Sequence, residues 1–309
     1  MKNDISALYY DRSGERLVSE RIYGARFLSW SYRTRSGRFL TDLIFRHKFV
    51  SGIYGWLNRQ APSRWKIKPF VKKMNLDLQE SIRPLEDFKS FSDFFTREID
   101  LSKRPVHPHP HVCVAPVDGR VMAFCAVEAD RTFRIKRSTF NLSQFLRDDG
   151  LTKQFAGGSM IISRLCLTDY HHVHFPDSGV PRAAVPIRGK VYAGGPYSLE
   201  RLVPFYTENY RMVTLFDSDH FDQMAIVEVG AFTVGSIRQR YVPGIHVQKG
   251  APKGFFELGG STVVLLFQRG VIELDDDLLR NSRNEVETYV RLGDSLGRRP
   301  GSSPEAQRS

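Results

Sequence analysis

Cysteine is scarce in this chain: three in 309 residues, Cys113, Cys125 and Cys166. An odd number without metal-site spacing excludes a disulfide-stapled scaffold and a cysteine zinc finger, and points to buried thiols in a reducing compartment. No apolar run approaches the roughly 20 residues that cross a bilayer. Met1-Lys2-Asn3-Asp4 does not open a secretory signal. The chain therefore reads as soluble, or attached to a membrane surface only. No internal repeat is present, and no segment resembles a standard nucleic-acid-binding module. Net charge is also missing from most of the sequence, because residues 74–309 hold 29 basic and 29 acidic side chains. The whole excess of +11 belongs to residues 1–73, where 16 Lys and Arg face 5 Asp and Glu. An asymmetry of that kind points to an anionic partner, nucleic acid or an acidic lipid surface.

What is present is enough apolar residue, 41%, to bury one large core or two small ones. Residues 1–34 mix arginine with Tyr23, Phe27, Trp30 and Tyr32. From Ser36 to Asn58 the spacing predicts a helix, with Phe39, Leu43, Val50, Ile53 and Leu57 on one side and Arg38, Asp42 and Arg46 opposite. A second helix is expected from Pro69 towards Leu78, with Lys72 and Lys73 exposed; Tyr54, Trp56 and Trp65 add aromatics of the kind that sit at lipid headgroups. Two readings stay open: the apolar stripe packs on the protein body, or one edge of it lies on a membrane. Phe88–Ile99 has aromatics at helical intervals, which predicts a core-facing helix. Pro105-Val106-His107-Pro108-His109-Pro110-His111 reads as a stiff connector rather than a metal site.

From Val112 onward short β-type runs alternate with turns: Val112–Val114, Gly119–Phe124, Ser159–Ile162, Gly189–Tyr192, Met212–Phe216, Gln223–Glu228 and Ser261–Phe267. Residues 138–147 are expected to form a short helix with Ser-Thr at its start, and residues 298–309 a disordered tail. The expected fold is α+β: a basic helical region over 1–104, then a predominantly antiparallel β-sheet core over 105–297.

Three segments carry chemistry. Gly259-Gly260-Ser261-Thr262 precedes a hydrophobic strand. By itself this is a turn signal. A glycine held in an unusual conformation also lets the next serine hydroxyl attack its carbonyl, an N-to-O acyl shift. The ester can lose its acyl group by β-elimination, and hydrolysis of the dehydroalanine leaves a pyruvoyl ketone. Serine needs a base for this, preferably a histidine oriented by a carboxylate. Asp169-Tyr170-His171-His172-Val173-His174 offers three histidines; as a strand it lacks a third metal ligand on one face, so no metal is assigned. Asp118, in Ala115-Pro116-Val117-Asp118-Gly119, is either a turn aspartate or the rigidly held carboxylate.

Together with Phe91–Glu98 and Val229–Ile237, these segments resemble the phosphatidylserine decarboxylase family, in family order over roughly residues 84–270. The resemblance implies that Asp118, His174 and Ser261 form the triad for self-cleavage between Gly260 and Ser261. It implies a covalent pyruvoyl cofactor derived from Ser261, and phosphatidylserine as the substrate that yields phosphatidylethanolamine. His171 would bind the serine carboxylate or relay a proton. The cut chains, 1–260 and 261–309, would stay associated, as a homodimer attached peripherally to the cytoplasmic face of a bacterial inner membrane. His172 stands where many members have arginine, Glu208-Asn209-Tyr210-Arg211 where Asn-Glu-Arg is frequent, and Gly259 doubles the glycine. The rival expectations are a pyruvoyl decarboxylase of another amino-acid substrate and a non-enzymatic binding protein with a basic N-terminal arm.

Overall fold

The computed structural model describes residues 8–21, 23, 30, 34, 36, 48–129, 133–135, 138–189, 205–230, 237–259 and 261–302. Strands β1 (Leu8–Asp11) and β2 (Arg16–Ser19) form a hairpin. Helices α1 (Lys48–Arg59), α2 (Ile67–Met74) and α3 (Phe91–Phe95) follow. The Ser90 side chain accepts from the Asp93 N–H and so starts α3. Next come β3 (Val112–Val114), β4 (Gly119–Val127), β5 (Phe133–Ile135), β6 (Ser138–Phe140), α4 (Leu142–Leu146) and α5 (Asp149–Phe155). Then follow β7 (Gly158–Leu165), β8 (His172–His174), β9 (Gly179–Pro181), β10 (Val185–Ile187), α6 (Phe205–Glu208), β11 (Arg211–Ser218) and β12 (Gln223–Gly230). The last elements are β13 (Ile237–Gln239), β14 (Pro252–Phe256), β15 (Ser261–Phe267), β16 (Glu273–Leu274), α7 (Asp276–Arg283), β17 (Glu287–Val290) and β18 (Ser295–Arg298).

The large sheet runs β10-β11-β12-β15-β7-β4-β17-β1-β2, with β9 also on β11. Its pairs are antiparallel except β1 with β17. Smaller sheets are β13-β14-β8, β16-β18-β3 and β5-β6. All seven residues of β15 are buried. Val263, Leu265 and Phe267 enter one core cluster with Val173 and Phe256, while Val264 and Leu266 enter another with Leu142, Phe145 and Phe155. A strand covered on both faces reads as a continuous apolar run instead of an alternation, and each large side chain buried there contributes about 1.5–3 kcal/mol.

The expected α+β architecture is present. The described part of the first predicted helix is α1, and residues 37–47 lie outside the described set. The predicted strand at Gly189–Tyr192 lies outside it beyond Gly189. Over 138–147 the sequence predicts one helix; the structure has β6 first and α4 after it, because Ser138–Phe140 pair with β5 and the Asn141 side chain caps the helix by accepting from Gln144 N–H. The β1–β2 hairpin was not legible as strands. It is tied to the C-terminal quarter by Arg12, whose Nε donates to Asp277 at 2.7 Å. Strand pairing reaches Arg298, opposite Glu273, and residues 303–309 lie outside the described set.

In the N-terminal layer Ile67, Phe70 and Met74 of α2 pack with Phe88, Phe91, Phe94 and Phe95, and with Leu258. The helices therefore hold the segment that leads into Ser261.

Candidate active site

Ser261 opens β15 and pairs with Gly230 of β12 and Leu165 of β7. It is 2% exposed, and its Oγ has no hydrogen-bond partner among the described residues. An unsatisfied buried hydroxyl costs about 1–3 kcal/mol, so its retention at a strand head needs a reason. Gly260 lies outside the described residues.

Asp118 precedes β4, whose register sets Arg120 beside Arg164 of β7. Since Ser261 is beside Leu165, Asp118 and Ser261 come to the same end of the sheet with only β7 between them. Gly119 eases this approach, because a Cβ there would meet the Arg164 carbonyl oxygen at 3.1 Å, tighter than an ordinary contact. The Asp118 carboxylate is buried; Oδ1 accepts from Leu292 N–H at 2.8 Å and Oδ2 lies 3.2 Å from the Arg104 guanidinium. Burial pushes its pKa up to about 6, with Arg104 and the Leu292 N–H pulling the other way.

His174 is reached through the same segment, its N–H donating to Pro116 O at 2.8 Å. Its Nδ1 lies 2.8 Å from the Gly250 carbonyl, so Nδ1 carries the proton and Nε2 the lone pair. Tyr170 Oη is 3.4 Å from Nε2, a long and weak contact. Burial holds the imidazole below its ordinary pKa, opposed by the Gly250 carbonyl. The ring makes no hydrogen bond to Asp118 or Ser261 among the described residues; the acceptor that orients it is a backbone carbonyl, where the sequence pattern points to the carboxylate. His171 Nδ1 lies 2.9 Å from Asp169 O, its ring is 4.0 Å from that of Phe95, and its buried Nε2 has no hydrogen-bond partner among the described residues. Burial lowers its pKa to about 3. His172 bonds Thr96 O at 3.0 Å and stacks on Tyr170, and burial lowers its pKa to about 4. Among the described residues no three His, Cys, Asp or Glu side chains could together hold a metal ion.

Sequence reasoning missed the buried cations around this end of the sheet. Arg104 bridges Asp118 and Glu80. Arg120 pairs with Asp169, and Arg164 joins Glu20 at 2.8 Å to Glu287 at 2.7 Å. Arginine reads as surface charge in a sequence, and only the Phe91–Glu98 block, which contains Arg97, gave any hint.

The fold and site thus define an α+β protein with a buried serine at the head of a central strand, its Oγ without a hydrogen-bond partner among the described residues, and a buried carboxylate, Asp118, two strands away at the same end of the sheet. Residues 91–298 match the family described as "Phosphatidylserine decarboxylase". The chain is 38% identical to the "Phosphatidylserine decarboxylase proenzyme" of Clostridium beijerinckii over 288 residues, 93% of this chain and 97% of the relative. It is 42% identical to the protein of that name from Chlamydia trachomatis serovar L2 over 292 residues, 94% and 97% of the two chains. The Clostridium tetani protein of that name is 36% identical over 291 residues, 94% and 98%. The chain belongs to the phosphatidylserine decarboxylase family.

Proposed function

We propose that this protein is a self-processing, pyruvoyl-dependent decarboxylase that converts phosphatidylserine to phosphatidylethanolamine and CO2. The observation that carries the reading is Ser261 Oγ, buried at the head of β15 without a hydrogen-bond partner among the described residues, immediately after Gly260 in the sequence. In the proposed maturation, Ser261 Oγ attacks the Gly260 carbonyl and His174 Nε2 accepts its proton. Gly250 O fixes the tautomer that leaves Nε2 free to do so. Asp118 supplies negative charge near the imidazolium, through space instead of by a direct hydrogen bond. Cutting between Gly260 and Ser261 gives chains 1–260 and 261–309, and "proenzyme" in the relatives' names supports a precursor of this kind.

The pyruvoyl group left at position 261 would supply an electron-accepting ketone. The residues present fit it: the strand head is buried, and no hydrogen bond among the described residues holds the hydroxyl that must be lost. His171 Nε2 is an unprotonated acceptor, which suits relaying a proton better than binding the serine carboxylate.

Trp56, Leu57 and Trp65 are exposed on the N-terminal layer together with Arg59, Arg64, Lys68, Lys72 and Lys73. This surface supports peripheral attachment to the anionic cytoplasmic face of a bacterial inner membrane, each basic residue adding about 1 kcal/mol near the lipid. No helix among the described residues is long and apolar enough to cross a membrane. A homodimer completes the proposal, to be checked by light scattering.

Intact mass of the purified protein, together with assays on phosphatidylserine in detergent and on free serine, tests the reading. Two fragments and CO2 release from the lipid alone are expected. An uncut chain, or release from free serine only, sinks it.

A further inference from the structure

Three buried polar atoms on one face of the large sheet lack a hydrogen-bond partner among the described residues: Ser261 Oγ, Ser163 Oγ and Glu228 Oε1. The strand register places them together. Glu228 of β12 and Ser163 of β7 both pair directly with Val263 of β15, and Ser261 is two residues before Val263 on the same face. Glu228 and Ser163 are therefore diagonal cross-strand neighbours of Ser261, at Cα separations of roughly 7–8 Å, within reach of a glutamate side chain. Gly230 stands directly across from Ser261, so β12 interposes no side chain between the hydroxyl and the carboxylate.

Burying a carboxylate is costly unless it is paired, and Glu228 is paired through one oxygen only. Its Oε2 accepts from Lys253 Nζ at 2.7 Å and from Gln239 Nε2 at 2.6 Å, while Lys253 also donates to Gln239 Oε1 at 2.7 Å. Both charged side chains are 0% exposed. Lys253 sits where the register of β14 shifts, between Pro252 opposite His174 and Gly254 opposite Val173. A bulge of this kind re-aims a side chain, here into the interior. With Oε2 held by two donors, Oε1 accepts no hydrogen bond among the described residues.

We propose that Glu228 is the proton acceptor in the elimination step that follows ester formation at Ser261; this rests on the self-cleavage proposed above. After the acyl shift the Gly260 carbonyl is esterified to Oγ and the amine of residue 261 is free. Glu228 Oε1 takes the proton from Cα of residue 261. The C–H electron pair becomes the Cα=Cβ double bond, and the Cβ–O bond breaks with its electrons leaving on the Gly260 carboxylate. Glu228 returns the proton to that carboxylate. One water then converts the dehydroalanine to the ketone and ammonia. Lys253 supplies the counter-charge that holds Glu228 in place throughout.

The test uses full-length Glu228→Gln, and the double variant Glu228→Gln with Lys253→Met, which removes both buried charges so that folding does not depend on an orphaned lysine. Each is incubated with and without hydroxylamine and followed by mass spectrometry. Loss of a general base predicts the small chain appearing at least about 100-fold more slowly. Hydroxylamine should cut the accumulated ester, releasing a small chain that begins with unmodified Ser261. Maturation of either folded variant at the unsubstituted rate overturns the proposal. So does a folded, uncut variant that resists hydroxylamine, because the block then precedes the ester. An unsubstituted chain that never cuts itself would instead refute the self-cleavage reading, which keeps the two failures distinct.

Discussion

The N-terminal layer and the sheet around Ser261 are both rich in cations and aromatics, yet they use them in opposite ways. In the sheet, Arg120 and Arg164 are buried and each is matched to a carboxylate, as is Lys253 on the neighbouring β14. In the layer, Lys68, Lys72 and Lys73 are exposed, and Trp65 is 71% exposed beside them. Charge inside the sheet is fixed by geometry and cannot respond to a distant surface. Charge on the layer is available to one, and it is screened by salt as buried pairs are not. The two regions meet at Leu258, which the layer's aromatics pack just ahead of the strand that carries Ser261.

Substitutions separate the two roles. In the proposed maturation Ser261→Ala removes the attacking oxygen, so a single full-length chain with no decarboxylase activity is expected by gel and mass. His174→Ala should slow self-cleavage by about 10²–10⁴-fold, the usual worth of a general base; normal processing would mean another group takes the proton. Asp118 has a pKa raised to about 6, so its charged form is present above that pH and lost as pH falls through it. The self-cleavage rate should therefore rise with pH through about 6 and level off, and Asp118→Asn should flatten that rise as well as slow the reaction. Leu258→Ala, at the junction, should lower stability by roughly 2–5 kcal/mol in denaturant titration, with slower cutting as a consequence. Smallest of all, Lys72→Glu with Lys73→Glu should weaken binding to anionic vesicles by about 1 kcal/mol per lost cation and leave self-cleavage in detergent unchanged. Equal damage to cutting by this last pair would erase the distinction between the regions.

Much of this was legible in the sequence where the signal is local. Ser261–Phe267 reads as a strand and is one, with both boundaries as expected. The α+β class follows from helical spacing giving way to short β runs. What stayed hidden depends on partners far along the chain. Glu20 looks like an ordinary surface acid, and it is buried because Arg164, 144 positions away, meets it. The carbonyl that sets the His174 tautomer belongs to Gly250, and a backbone acceptor leaves no mark in residue identity. Lys253 reads as solvated charge, since nothing local announces a bulge that turns it inward.

The position of β15 between β12 and β7 has a consequence for manufacture. The small fragment would own that interior strand and also β17, which is flanked by β4 and β1. Neither slot exists until the whole polypeptide has folded around it. Two separately expressed pieces, 1–260 and 261–309, should thus fail to rebuild the enzyme on simple mixing. Severing the backbone becomes a one-way event whose earliest moment is set by completion of the sheet.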